Sequence, residues 1–194
     1  MTESKLKTPE GMHTITPHIV VNDAAAATDW YKQVLGAEER SRIEVPGGKL
    51  MQVELWFGDS VVMLADEFPE LGVLSPLSVG GTATVLHLYT NDVDAVWKGA
   101  VDAGAEVRQP LQNVFWGERY GQITDPFGHR WGLAQHLRDV SRQEIEEAAA
   151  AMFGYRSEEQ SGCWAMAEGE LQSLHRLRPR ECSRACLASI GSTS

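Results

Sequence analysis

Between residues 13 and 137, apolar and polar positions alternate in short blocks, and the period switches repeatedly between that of a strand and that of a helix. Ile15 to Val21 is short and rich in β-branched residues, which predicts a strand. Asp23 stands where an N-cap belongs. Trp30, Tyr31, Val34 and Leu35 then fall on one side of a helix over 24–35, which Gly36 stops. Glu38 to Val45 alternates imperfectly and ends at the turn Pro46-Gly47-Gly48. Leu50 to Phe57 and Ser60 to Ala65 read as two strands joined tightly at Gly58-Asp59. The first unit is therefore βαβββ.

The same succession then returns. Ala83 to Thr90 predicts a strand, and a helix runs from Asp92 to Ala103 and stops at Gly104. Glu106 to Phe115, Arg119 to Thr124 and Arg130 to His136 predict three more strands, with Asp125-Pro126-Phe127-Gly128 as the turn between the last two. Individual residues repeat as well. Asn22-Asp23 recurs as Asn91-Asp92, His18 as His87 and Leu64-Ala65 as Leu133-Ala134, all 69 positions later. Gly36-Ala37-Glu38 recurs as Gly104-Ala105-Glu106, and Phe57-Gly58 as Phe127-Gly128. Repetition at this scale predicts an α+β fold in which two copies of one supersecondary unit form a cup around a central cleft.

Residues 66–82 are rich in Pro, Gly and Ser and read as the linker between units. Ser141 and Glu144 form a capping box for an Ala- and Glu-rich helix over 142–153, with Gly154 as its stop. That helix is expected to pack on a sheet or on a partner subunit. Residues 1–12 read as a flexible leader. Residues 155–194 have no clear period and read as a disordered tail, whose composition would also suit an extension foreign to the natural fold. The domain proper is thus expected over 13–137 (units 13–65 and 83–137), with the C-terminal helix segment over 138–154.

The formal net charge is −10, and the five Arg and five Glu of the tail cancel, so the acidity belongs to the body. With no cluster of Lys and Arg, nucleic acid is not an expected partner. No apolar run approaches a membrane span and the first ten residues lack a signal's apolar core, so a cytoplasmic protein is expected. Cys163, Cys182 and Cys186 all lie in the tail. The body therefore has neither a disulfide nor a thiol nucleophile. A zinc site from these cysteines and His175 is a remote reading, because the spacing is loose.

Strand alternation puts Thr16 with His18 and Val85 with His87. If the units are related by a pseudo-twofold axis, both imidazoles face one space. There they could bind a metal, act as acid and base, or hydrogen-bond a ligand, unless each is an ordinary strand histidine. Trp56, Met63, Phe115, Trp116 and Tyr120 supply apolar and aromatic surface for a pocket, and Arg119 and Gln122 join the histidines as polar groups. The plainer alternative is that many of these aromatics are core and that Arg119 pairs on the surface with Glu118 or Asp125. Asp125 is expected to fix its turn, and His129 and Arg130 to lie exposed at a hairpin tip.

Two βαβββ units, the Asn-Asp helix starts, the Gly-Ala-Glu stops and Asp125-Pro126-Phe127-Gly128-His129-Arg130-Trp131 resemble the vicinal oxygen chelate superfamily. This group contains glyoxalase I, extradiol dioxygenases, fosfomycin-resistance enzymes and bleomycin-binding proteins. Phe115-Trp116-Gly117-Glu118-Arg119-Tyr120-Gly121 is similar to its PhnB-like branch. The resemblance covers about residues 13–137 and implies a glyoxalase/bleomycin-resistance-type barrel and a homodimer.

In metal-dependent members the resemblance implies a His early in the first strand of each unit and a carboxylate in the last. Those positions hold Thr16, Val85, Met63 and Gly132 here. Val and Gly side chains cannot ligate, and a thioether suits an oxygen/nitrogen site poorly. The leading expectation is a small-molecule binder without cofactor, similar in logic to drug-sequestering members and taking an aromatic or oxygenated ligand. The alternative is a divalent-metal lyase, isomerase or dioxygenase with a displaced site at His18, His87 and Glu54. A non-catalytic structural or regulatory dimer is the third reading.

Overall fold

Two four-stranded sheets are built from the two halves of the sequence in the same order. In the first, β1 (His18–Val21), β2 (Glu38–Glu44), β3 (Leu50–Phe57) and β4 (Ser60–Asp66) lie in the order β1-β4-β3-β2. In the second, β5 (Val85–Tyr89), β6 (Glu106–Asn113), β7 (Glu118–Thr124) and β8 (Arg130–His136) lie as β5-β8-β7-β6. Each first strand runs parallel to the last of its unit, and the remaining pairs are antiparallel. The parallel pairs require crossovers, which hold α1 (Ala24–Val34) and α3 (Val93–Asp102). This computed structural model describes residues 8–9 and 11–154. The tail, with its cysteines and His175, and most of the leader lie outside the described residues.

One face of each sheet enters the core. Val53, Leu55 and Leu64 pack with Tyr31 of α1, and Ile123 and Leu133 with Val93 and Ala100 of α3; all are fully buried. Alternation turns Gln52, Glu54 and Trp56 of β3 to the opposite face, as it does Tyr120 and Gln122 of β7. These side chains thus share the sheet faces opposite α1 and α3.

The helix starts repeat as the sequence does. Asp23 Oδ1 accepts from the Ala26 amide at 2.9 Å and Asp92 Oδ1 from the Ala95 amide at 3.0 Å. A second pair of supports arises at matching positions. Asp66 Oδ1 accepts from Ala24 N at 2.8 Å, and Gln135 Oε1 from Val93 N at 3.2 Å. Asp66 Oδ2 also takes the Leu50 amide at 2.6 Å, which ties the start of β3 to the end of β4.

The halves meet at the Asp125 turn. Asp125 is buried and accepts from Tyr31 Oη at 2.6 Å, from Trp131 Nε1 at 2.8 Å and from the amides of Phe127 and His129 at 2.9 Å. Its expected role in the turn therefore extends across to α1. His129, expected to be exposed, is buried, and its Nε2 donates to Val20 O of β1 at 2.9 Å. The expectation failed because a hairpin tip is exposed only when nothing packs over it. Arg130 is exposed.

The start of β1 and the linker differ from expectation. Strand β1 begins at His18, not Ile15, because its ladder with β4 starts at Met63 and Pro17 has no amide to donate. The linker holds a 3-10 turn over Pro69–Leu71 and α2 (Pro76–Val79). Ser75 caps α2 and the left-handed Gly80 ends it. The first unit of the chain ends at Val140 and a second begins at Ser141. Within the second, α4 (Arg142–Phe153) has the expected capping box at Ser141 and Glu144, and Gly154 ends it at φ 68°.

Candidate functional site

The face of the second sheet opposite α3 collects most of the expected ligand-binding residues. Its central strand β8 contributes Gly132 and Ala134, with His87 and Tyr89 of β5 on one side and Gln122 and Tyr120 of β7 on the other. Small residues in the middle thus lie between walls of rings. His87 stacks on Tyr120 with ring centroids 5.4 Å apart and planes 13° from parallel, and lies 4.6 Å from Tyr89. Trp116 stands edge-on to Tyr120 at 5.9 Å and to Phe115 at 4.9 Å. Gln122 Nε2 donates to Tyr120 Oη at 2.8 Å.

Sequence reasoning missed Tyr89 and Glu118. Glu118 Oε1 accepts from Tyr89 Oη and Oε2 from Trp116 Nε1, both at 2.8 Å. The hydrogen bond to Glu118, then partial burial, then the carboxylate's charge push Tyr89 above the ordinary tyrosine range. Strand alternation carried the signal for both residues: Tyr89 is two positions from His87, and Glu118 two from Tyr120.

A side chain at Gly132 would crowd Tyr120. A Cβ there would lie 2.9 Å from Tyr120 Oη and 3.0 Å from its Cε2. The tyrosine ring thus fills the space over the position where the resemblance implies a carboxylate ligand.

Arg119 does not join this face. Its guanidinium makes a two-pronged pair with Asp94 of α3, Nε to Oδ2 at 2.8 Å and Nη2 to Oδ1 at 2.7 Å. Hydrogen bonding to Asp94 raises Arg119, and the same contact lowers Asp94. Its surface partner is therefore neither Glu118 nor Asp125.

The remaining candidates lie on the first sheet. His18, Met63 and Glu54 form one row across β1, β4 and β3. Gln52 Nε2 donates to Glu54 Oε1 at 3.3 Å. The Arg40 guanidinium lies 3.8 Å over the Trp56 ring, and Gly11 approaches so closely that a Cβ would meet the indole at 2.5 Å. Among the described residues Trp56 Nε1 is buried without a hydrogen-bond partner.

The two histidines line different cavities. His87 borders one of about 550 Å³ with Phe57, Val61, Leu88 and Trp131. His18 borders one of about 390 Å³ with Leu74, Pro76, Val79 and His129. Among the described residues no three His, Cys, Asp or Glu side chains converge as a metal group would require. His18 and Glu54 offer two donors separated by a thioether, and His87 faces a glycine. This donor set does not fit the divalent ion that the resemblance implies.

Residues 11–133 match the sequence profile of the Glyoxalase/Bleomycin resistance protein/Dioxygenase superfamily. An uncharacterized protein of Mycobacterium tuberculosis is 41% identical over 140 residues, covering 71% of this chain and 82% of that protein. One from Mycobacterium bovis is also 41% identical over 140 residues, covering 92% of its length. The crystal structure of TioX from Micromonospora sp. ML1 superposes with a TM-score of 0.51 at 28% identity, covering 64% of this chain and 99% of TioX. A PhnB protein from Bacillus cereus shares the fold at 16% identity and a TM-score of 0.50, covering 63% of this chain and 99% of its own.

Proposed function

Because the chain belongs to the Glyoxalase/Bleomycin resistance protein/Dioxygenase superfamily, we propose that it binds a small aromatic or oxygenated molecule without a metal ion. The observation that carries this reading is Tyr120. Its ring takes the space over Gly132 and stacks on His87, so a stacking surface stands where a ligating carboxylate would. The rings of His87, Tyr89, Trp116 and Tyr120 supply apolar area, while the Gln122 amide and the histidine nitrogens supply orientation. Such binding requires no transition-state stabilisation, which suits sequestration better than turnover.

A homodimer belongs to the same proposal. Strands β1, β2, β5 and β6 are sheet edges, and exposed apolar side chains include Tyr89, Val85 and Leu77. A second copy packed over these surfaces would bury them and narrow the cleft. No helix among the described residues is long and apolar enough to cross a membrane.

A thermal-shift screen of the full chain tests the binding reading, using planar aromatic antibiotics and small dicarbonyls. Aromatic compounds are expected to raise the melting temperature, and Tyr120→Ala to abolish the shift while His18→Ala leaves it. A flat response across the whole panel contradicts the reading.

A further inference from the structure

We propose that the aromatic face of the second sheet selects a planar cation, with Glu118 as its charge partner. This deepens the reading that the face binds a small molecule and rests on it. The rings form a closed circuit. Trp116 touches Tyr120, Tyr120 stacks on His87, and His87 meets Tyr89. Glu118 closes it by accepting from Tyr89 Oη with one oxygen and from Trp116 Nε1 with the other. The ring faces are regions of negative potential, and a carboxylate set between two of them adds a full charge to the same surface.

That charge is not neutralised from nearby. Among the described residues Glu118 accepts from two neutral donors and pairs with no Lys or Arg. Its sequence neighbour Arg119 is held by Asp94 of α3. Arg138 comes close, its amide donating to Gly117 O at 3.1 Å, but its Nη1 donates to Asp139 O at 3.3 Å. His136, opposite Glu118 on β8, directs Nε2 to Asp139 Oδ1 at 3.2 Å. Arg130 shares the strand face but stands six residues along β8 from His136, roughly 20 Å at strand rise, beyond a Debye length in physiological salt. The net charge of −10 adds a long-range field of the same sign. A neutral aromatic would gain stacking alone, a planar cation would gain stacking and charge, and an anion would be repelled.

Three probes of one shape separate these terms: N-methylacridinium, acridine and acridine-9-carboxylate, titrated by fluorescence against the full chain at mildly alkaline pH and physiological salt. The cation is expected to bind about tenfold more tightly than acridine. Glu118→Gln, which keeps one acceptor oxygen for the ring donors and removes the charge, should reduce the cation to acridine's affinity. Equal binding of cation and neutral ring, tighter binding of the anion, or a cation preference that survives Glu118→Gln overturns the inference. If acridine still binds in those cases, the binding reading survives; if none of the three binds, both fall. The wild-type comparison alone decides the matter should Glu118→Gln fail to fold.

Discussion

Asp125 illustrates how much one buried residue can hold. It accepts from four donors and links the second half of the chain to Tyr31 in the first. Burial foremost, then the charge and hydrogen bond of Asp125, push Tyr31 well above the ordinary tyrosine range. The folded chain therefore holds that proton more tightly than the unfolded chain. The stability so gained is complete below the ordinary tyrosine pKa of about 10 and is lost as pH rises beyond it. Urea denaturation on either side of that value should show an alkaline loss in the wild type. Tyr31→Phe should flatten the loss at a cost of about 1–3 kcal/mol near neutral pH; an unchanged alkaline slope would remove Tyr31 from the account. Gly132 makes the second residue-scale case. Gly132→Ala should destabilise by about 1–3 kcal/mol through overpacking against Tyr120. In a Tyr120→Ala background the same change should cost little, and equal costs in both would mean that the ring does not set the limit.

At the scale of elements, duplication gives matched helices unequal supports. Asp66 takes two buried amides, one from α1 and one from β3, whereas Gln135 takes one part-buried amide from α3. Asp66→Ala should therefore cost about 2–4 kcal/mol and Gln135→Ala about 1 kcal/mol, measured by chemical denaturation; equal losses would contradict the assignment. Strands, crossover helices and hairpins were legible because period, caps and turn residues agreed in each. Helix α2 was not, although Ser75 and Pro76 are a fair N-terminal signal, because four residues cannot show a helical period. Site legibility followed the same division. His87, Phe115, Trp116, Tyr120 and Gln122, named for their chemistry, fall on or beside one sheet face. Arg119 could not be placed from sequence, because its partner Asp94 comes from a helix distant in the chain. Nor could the different cavities of His18 and His87, since a repeat fixes each unit but not how the units meet.

For the whole molecule, the inherited architecture and the side chains on its faces point in different directions. The sheets, crossovers and turn motif are those of the superfamily. The positions implied for metal ligands by the resemblance hold Thr16, Val85, Met63 and Gly132, and the last is crowded by Tyr120. Ligand binding should therefore survive exhaustive chelation, and stoichiometric metal binding should be absent. Native mass spectrometry of the full chain, purified without chelator or affinity tag and mixed with a planar aromatic ligand, reads both together with subunit number. The expected spectrum is a dimer that carries the organic ligand and no stoichiometric divalent ion. A spectrum with one ion per subunit, lost in the His18→Ala/His87→Ala double variant, would contradict it.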